Sequence, residues 1–352
     1  MAASRELQTM VGLITLVVLA AGAYSASAVF APLALALFII AILSPLQRWL
    51  QSRMPILLAL AISVVIAITA CLVFASLAAW GFGQVGRSVI ANSARYQALY
   101  ITAVAWLEDH DVLVAGVWAE HFNVSWLLRV AQQVTGRVNT TINFWLIAFM
   151  YVILGLLELD DLRQKICAFA SPKAAQALLN GATTTAVKLR KYLMVRTQMS
   201  VITGLLVAAL TWLVGLPLAA EWGVIAFTLN YIPFIGPFIA TLLPTMAAMT
   251  QFETWWAVLE IFGWLNIIQF IVGSYIEPRV SGNVLSVSPF VVLFSVFFWT
   301  FLWGLFGAFI GVPITMAILT FCAQYHSSRW LADLLGGPMP TETAKGQLPA
   351  AR

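Results

Sequence analysis

The sequence predicts an all-α, polytopic integral membrane protein with about 7–8 membrane segments, including two interrupted or re-entrant helical hairpins. Hydrophobic residues make up 62% of the chain and charged residues only 9%, against about 45–50% and about 25% in soluble domains. The charges cluster and leave long uncharged runs, and about 20 apolar residues suffice to cross the hydrocarbon core. These runs cover residues 7–47, 54–86, 138–157, 197–220, 222–252 and 280–328.

The first interruption lies inside the apolar run from Trp222 to Phe252. Its centre reads Asn230-Tyr231-Ile232-Pro233-Phe234-Ile235-Gly236-Pro237. Because proline removes a backbone donor and glycine lowers helix propensity, this segment predicts two helical pieces joined by non-helical backbone. Each piece would span about half to two-thirds of the hydrocarbon core, which fits a re-entrant hairpin entered from outside. Irregular backbone at membrane depth indicates a transporter's substrate pathway, here lined by Asn230, Tyr231, Pro233, Gly236 and Pro237.

A second run covers residues 287–323, and we predict that it is broken by Gly304, Gly307, Gly311 and Pro313. If this run also folds back, it enters from the inside, and two hairpins approach the membrane centre from opposite faces. Its three glycines share a helical face, which favours close helix packing over direct contact with a ligand. The pathway residues predicted here are Gly304, Gly307, Gly311 and Pro313.

The positive charges predict the orientation of the chain in the membrane. Basic residues occur in segment 48–53, as Arg48 and Arg53, and recur in segment 158–197, so the positive-inside rule places both regions, with the two chain ends, in the cytoplasm. The predicted parts are N-terminal membrane helices (1–82), an extracytoplasmic amphipathic helical segment (83–141), a membrane helix (142–158), a cytoplasmic helical segment (159–197), a C-terminal membrane transport region with broken helices (198–325) and a cytoplasmic tail (326–352).

The predicted helix near residues 255–276 carries the polar groups that could couple transport to an ion. Ionisable side chains at membrane depth are rare and therefore functional candidates. Four residues of this helix recur at intervals of three and four, namely Asn266, Gln269, Gly273 and Glu277. This spacing predicts one polar stripe facing protein or a pathway, with hydrogen bonding between helices as the simpler explanation. In Glu277-Pro278-Arg279 the opposite charges could neutralise each other, either as a structural clamp or as a gating pair. The candidates are Glu260, Asn266, Gln269, Glu277 and Arg279.

Several function classes find no support in the sequence. Cys71, Cys167 and Cys322 are isolated and have neither metal nor disulfide spacing. There is no nucleophile elbow, phosphate loop, zinc signature or dinucleotide fingerprint. The basic residues form no patch with interleaved aromatics, as a nucleic-acid interface would. We therefore expect no enzyme activity, no cofactor, no metal and no nucleic-acid partner.

Four motifs occur in an order and at separations typical of one membrane family. They are Glu158-Leu159-Asp160-Asp161, Asn230 through Pro237, Tyr275-Ile276-Glu277-Pro278-Arg279-Val280-Ser281-Gly282, and Ser288-Pro289-Phe290 through Gly304 and Gly307 to Gly311-Val312-Pro313. Together they resemble the autoinducer-2 exporter (AI-2E) family, and the third motif is similar to the branch named for autoinducer-2 transport. The resemblance implies a homo-oligomeric secondary transporter of the bacterial inner membrane, with a pentamer among the possible assemblies, which exports small molecules.

Three hypotheses of function follow from these patterns. The leading one is a secondary transporter or exporter of a small polar solute, autoinducer-2-like by resemblance, with the lipid bilayer and further copies of the chain as partners. The second is a monovalent cation/proton antiporter that works through Glu260 or Glu277, since some relatives are described in that way. The third, from another class, is a non-transporting membrane scaffold whose outer segment binds a partner.

Overall fold

The computed structural model describes residues 2–109, 138–169, 171–252, 254–281, 287–325 and 328–336. These residues form helices, and their one strand-like feature is an isolated antiparallel bridge between Val287 and Gly336. The all-α prediction is confirmed. The helices are α1 (Ala2–Ser25), α2 (Ser27–Gln51), α3 (Ile56–Ala91), α4 (Ser93–Asp109), α5 (Val138–Cys167), α6 (Pro172–Leu213), α7 (Ala219–Leu229), α8 (Ile235–Gln251), α9 (Trp255–Phe270), the π-helix Ile271–Ile276, α10 (Glu277–Ser281), α11 (Pro289–Cys322) and α12 (Arg329–Leu335).

Six of the described spans are long and apolar enough to cross a membrane. The shorter apolar helix α7 falls below that length. The multi-pass class is therefore confirmed, while the count of seven to eight segments and the re-entry of the hairpins remain predictions. Of the predicted outer segment and cytoplasmic tail, residues 110–137 and 337–352 lie outside the described part of the chain. The six spans are Ser27–Gln51, Ile56–Ala91, Ile142–Cys167, Pro172–Leu213, Trp255–Ser281 and Pro289–Cys322.

The long helix α6 runs through the boundary that the charge pattern predicts at residues 197–198. It has 42 residues, which corresponds to about 63 Å at 1.5 Å per residue, whereas the hydrocarbon core is about 30 Å thick. A change in charge density marks where a helix leaves the lipid, whereas only a backbone breaker ends the helix. No proline lies between Lys173 and Leu216, so one helix continues across the predicted boundary.

The described residues form two compact units. The first contains parts of Met1–Val64, Ile147–Leu193 and Ser281–Arg352, and the second contains parts of Val65–Leu146 and Met194–Val280. The second interrupted run, α11, belongs to the first unit, and the α7–α8 break belongs to the second. The two breaks therefore lie in different units.

Helix α11 folds back on itself at a single point, between Trp303 and Gly304. Gly304 has φ 61° and ψ −141°, a conformation that is essentially restricted to glycine. The two halves then pack side by side: a Cβ on Gly307 would meet the Trp299 carbonyl oxygen, and one on Gly311 would come within 3.1 Å of the Ser295 carbonyl oxygen. The predicted break is thus confirmed at Gly304, and the close-packing interpretation is confirmed for the other two glycines.

The prediction that Pro313 also breaks this run is wrong. Pro313 is buried inside the second half of α11, and the helix continues on both sides of it. Helix α1 packs against the turn at Gly304. The Trp303 indole donates to the Ala23 carbonyl at 3.1 Å, and the Tyr24 and Phe301 rings stack with centroids 5.7 Å apart. The backbone conformation at Gly304, rather than the missing donor of a proline, makes the turn.

Gly304→Ala should destabilise the protein by about 1–3 kcal/mol, because an L-residue at this φ and ψ is strained. No atom lies within 4 Å of the position that the new Cβ would take, so the effect would come from the backbone conformation alone. Thermal unfolding of the purified protein in detergent measures it. Gly263→Ala is the matched control, since Gly263 is helical and also has open space around an added Cβ. Equal unfolding temperatures for the two variants would contradict the prediction.

Candidate functional site

The break between α7 and α8 is formed by a short turn of non-helical backbone. Pro233 has no N–H to donate, and the chain turns with hydrogen bonds from the Ile235 amide to the Pro233 carbonyl at 2.7 Å and from the Gly236 amide to the Ile232 carbonyl at 3.0 Å. Phe234 has φ 63°, which is unusual for a bulky residue. Non-helical backbone is confirmed here, but over Asn230–Phe234 only, because Gly236 and Pro237 already belong to the first turn of α8.

Helices α7 and α8 form an antiparallel hairpin. At the turn, a Cβ on Gly236 would meet the Leu229 carbonyl oxygen. At the opposite end, the Gln251 amide donates to the Gly215 carbonyl at 2.9 Å. Gly215 lies in the loop between α6 and α7, so this hydrogen bond ties the end of α8 to the segment that precedes α7. Its buried contacts come from Trp222, Ile225 and Ala226 of α7 and Ala240 and Ala248 of α8.

The end of α8 also contacts α4. A hydrogen bond links the Tyr96 and Thr250 hydroxyls. Burial raises the pKa of Tyr96 above its ordinary value, and the hydrogen bond with Thr250 acts in the opposite direction. Tyr96 therefore remains a neutral phenol at physiological pH and contacts the end of α8 at Thr250.

Two polar side chains of the break are buried and hydrogen-bonded to α6. The Asn230 amide, 5% exposed, donates to the Ser200 hydroxyl at 3.3 Å. The Tyr231 hydroxyl donates to the Thr197 hydroxyl at 3.0 Å, and its ring packs edge-on against Phe74 with centroids 5.2 Å apart. Asn230 and Tyr231 therefore both contact α6, a helical region that the sequence analysis did not link to the break.

Small residues let α6 approach α7 closely beside these hydrogen bonds. A Cβ on Gly204 would come within 2.8 Å of the Gly223 carbonyl oxygen, and one on Gly223 would come within 2.7 Å of the Ala208 Cβ. Close backbone approach of this kind is the usual role of small residues between membrane helices. It brings the Thr197 and Ser200 hydroxyls within reach of the turn.

A buried ion pair lies one residue before Thr197. The Arg196 guanidinium is 3.2 Å from the Glu277 carboxylate, and the two side chains are only 10% and 13% exposed. Glu277 follows directly after the π-helix Ile271–Ile276, whose wider turn changes the direction in which the next residue points. The ion pair therefore joins α6 to the end of the α9 segment.

The predicted pairing of Glu277 with Arg279 is wrong. The Arg279 guanidinium lies over the Tyr275 ring, 3.3 Å from its centroid, while Glu277 contacts Arg196. Residues two apart do not face each other on a helix, so the two charges of the Glu-Pro-Arg motif point in different directions. A cation–π contact satisfies the second charge.

The predicted polar stripe along α9 is also not continuous. Asn266 is exposed, as is Glu260, which lies outside the predicted stripe, and the Asn266 amide donates to the Phe262 carbonyl of its own helix at 2.8 Å. Gln269 is partly buried, and Glu277 is mostly buried against α6. The π-helix between Gln269 and Glu277 breaks the spacing of three and four on which the stripe depends. Gln269 and Glu277 lie towards α6, and the other two polar residues do not.

The residues that the sequence interpretation missed all lie on α6. They have a sequence signal, because they recur at intervals of one, three and three residues, as polar groups facing protein do, in a stretch whose other residues are apolar except for the exposed Gln198. The charge boundary at residue 197 divided this group between two predicted segments and hid it. The missed residues are Arg196, Thr197, Ser200 and Thr203.

The fold and the site define an all-helical, multi-pass membrane protein with buried polar groups at a broken helix. Residues 13–327 match the family described as AI-2E family transporter. The chain therefore belongs to the AI-2E transporter family, as its motifs predict, and that family is one of transport proteins.

Individual relatives cover most of the chain. It is 27% identical over 328 residues to the AI-2 transport protein TqsA of Escherichia coli K12, covering 91% of this chain and 93% of the relative. It is 26% identical over 344 residues to the putative transport protein YhhT of the same strain, covering 95% of each chain. A putative transport protein of Borreliella burgdorferi is 27% identical over 212 residues, which are 60% of this chain and 58% of that protein.

Proposed function

We propose that this protein is a secondary transporter that exports a small polar solute, with autoinducer-2 as the first candidate cargo. The observation that carries the proposal is the pair of buried polar side chains, Asn230 and Tyr231, on non-helical backbone inside an apolar hairpin. Broken helices of this kind form the substrate sites of many secondary transporters. The name of the E. coli relative, AI-2 transport protein, supports the choice of cargo.

The hydrogen bonds at the break suit a site that must open and close. The hydrogen bonds from Asn230 to Ser200 and from Tyr231 to Thr197 both join neutral groups. Each contributes about 0.5–1.5 kcal/mol net to stability. A solute with hydroxyl or carbonyl groups can replace them one for one, so entry of the solute leaves no buried polar group unpaired. The hairpin moves against α6 as the bonds exchange, and the Gly204–Gly223 contact permits the sliding.

The proposal includes an orientation and an assembly. The chain ends lie in the cytoplasm, because the basic segments follow the positive-inside rule. The resemblance to the exporter family supports placing the protein in the bacterial inner membrane. It works as a homo-oligomer, with the resemblance to the exporter family as the support. Many large apolar side chains on the described helices are exposed in the single chain, which fits contact with lipid and with further copies.

Cation/proton antiport has less support from the site. Glu260 is exposed and lies on a different helix from the break. The Glu277 carboxylate already has Arg196 as its counter-ion, so binding a further cation there would require that pair to separate. The scaffold hypothesis is weaker still, because it assigns no purpose to polar groups buried at a broken helix.

Autoinducer-2 flux in proteoliposomes tests the proposal. Wild-type protein should move autoinducer-2 faster than empty liposomes do, and Asn230→Ala should lower the flux about tenfold, since it removes buried hydrogen bonds worth about 1–2 kcal/mol. Asn266→Ala is the matched control, because Asn266 is exposed and bonds only to its own helix. The flux of Asn266→Ala should stay within about twofold of the wild-type flux. Wild-type flux no faster than the leak of empty liposomes would refute the cargo, and equal flux in both variants would refute the site.

A further inference from the structure

Two buried polar atoms beside the break have no hydrogen-bond partner in the described part of the chain. They are the Thr203 hydroxyl of α6 and the side-chain amide nitrogen of Gln269 on α9. The Thr203 side chain is completely buried, with 0% exposure. Buried polar groups are almost always hydrogen-bonded in native proteins, and each exception calls for an explanation. A ligand that binds these two atoms during only part of the transport cycle would explain why they have no partner in the described part of the chain.

The contacts between α6 and α9 place these two atoms on facing surfaces. Arg196 pairs with Glu277, and Met199 belongs to one buried cluster with Val272. The residue numbers rise along α6 as they fall along α9, so the helices run antiparallel. Thr203 lies one turn beyond Met199 on the same face of α6, and Gln269 lies one turn before Val272 on the same face of α9.

A second pair of residues supports this register. Ile202 and Ile268, the neighbours of Thr203 and Gln269 in sequence, both pack against the same cluster. The Thr203 hydroxyl and the Gln269 amide therefore lie at one level of the seam between α6 and α9. We define this seam by Met199, Thr203, Gln269 and Val272.

The seam adjoins the break, and its polar groups are uncharged. Thr203 is three residues from Ser200, the acceptor of the Asn230 bond, so the two polar positions are neighbours on α6. The charged groups of the contact, Arg196 and Glu277, lie about two turns away and compensate each other. At the level of Thr203 the polar groups are neutral, which fits an uncharged ligand better than an ion.

We propose that Thr203 and Gln269 form a second subsite of the transport pathway, which binds an uncharged hydroxyl or carbonyl oxygen of the solute. The Gln269 amide donates a hydrogen bond to that oxygen, and the Thr203 hydroxyl donates or accepts a second one. This assignment rests on the proposed transport function and extends it from the break to the neighbouring seam. A water molecule offers the same chemistry, so the experiment must separate the solute from water.

The first arm measures autoinducer-2 flux at several concentrations with Thr203→Val, Gln269→Leu and Thr211→Val. Thr211 is the matched control on the same helix, because its equally buried hydroxyl already donates to the Val207 carbonyl at 2.8 Å. Thr203→Val and Gln269→Leu should each raise the half-saturating concentration about three- to tenfold, while the unfolding temperature does not fall. Thr211→Val should leave that concentration unchanged. An unchanged value in the first two variants would overturn the subsite and leave a structural water or an empty seam.

The second arm does not depend on the cargo. The three native cysteines, Cys71, Cys167 and Cys322, are first replaced by serine. One cysteine is then introduced at Thr203, Gln269 or Thr211. Each reconstituted variant is treated with fluorescein-5-maleimide. Labelling at the first two positions but not at Thr211 would support an aqueous pathway along the seam, even if autoinducer-2 flux were absent and the proposed cargo had failed. Absence of labelling at both Thr203 and Gln269 would overturn the subsite even if wild-type protein transported autoinducer-2.

Discussion

Gly236→Ala is expected to abolish transport and to lower the unfolding temperature strongly. An added Cβ at Gly236 would overlap the Leu229 carbonyl oxygen, with the Leu229 carbonyl carbon and the Asn230 amide nitrogen also close. These are backbone atoms of the turn itself, so no side chain can rotate away to relieve the overlap. The hairpin must open by displacing Asn230 and Tyr231 from α6, at a cost of about 3 kcal/mol or more.

The measurement combines autoinducer-2 flux in proteoliposomes with thermal unfolding in detergent. Gly263→Ala is again the control, since a methyl group at Gly263 meets nothing within 4 Å, and it should keep both flux and stability near wild type. Gly236→Ala should still insert into the membrane, because the apolar spans are unchanged. Normal flux in Gly236→Ala would show that the turn geometry is irrelevant to transport.

Glu277→Gln should destabilise the protein by about 3 kcal/mol, because it leaves the Arg196 guanidinium as an uncompensated buried charge. The two side chains are 10% and 13% exposed and 3.2 Å apart, so solvent screens the pair only weakly. The loss should appear as a lower unfolding temperature. It should also appear as lower flux, since Arg196 is adjacent to Thr197, the acceptor of the Tyr231 bond.

A double-mutant cycle separates the ion pair from other effects of the substitutions. Arg196→Met combined with Glu277→Leu should be more stable than either single variant, because it removes both charges rather than one. Asp333→Asn provides a comparison at an exposed pair, since Arg329 and Asp333 are 66% and 72% exposed and 3.9 Å apart. It should change nothing measurable. Strictly additive effects of the two buried substitutions would mean that the pair contributes no coupling.

The position of each backbone break could be read from the sequence with good accuracy. Pro233 and Gly304 are breakers because of their own covalent chemistry, namely a missing N–H in one and a missing Cβ in the other. The extent of the breaks was less predictable. Gly236 and Pro313 are also breakers by type, yet both lie within helices, because proline and glycine are tolerated where neighbouring helices pack around them.

The hydrogen-bond partners of the site could not be predicted in the same way. Asn230 was a clear candidate, but its acceptor Ser200 lies 30 residues away, and the partner of Glu277 lies 81 residues away. The π-helix before Glu277 has no strong local sequence signal, although it turns that carboxylate towards α6. The charge pattern also ended a predicted segment at residue 197, in the middle of the polar face that contacts the break.

The sequence by itself determined that this protein is an all-helical membrane protein of the AI-2E family with two broken apolar runs. Those features depend on composition and on residues that act on their own backbone. The tertiary structure alone decided which polar groups meet: Asn230 with Ser200, Tyr231 with Thr197 and Glu277 with Arg196. Pairing across helices depends on how far each helix extends and how it is rotated, and small residues such as Gly204 and one π-helical turn fix those quantities.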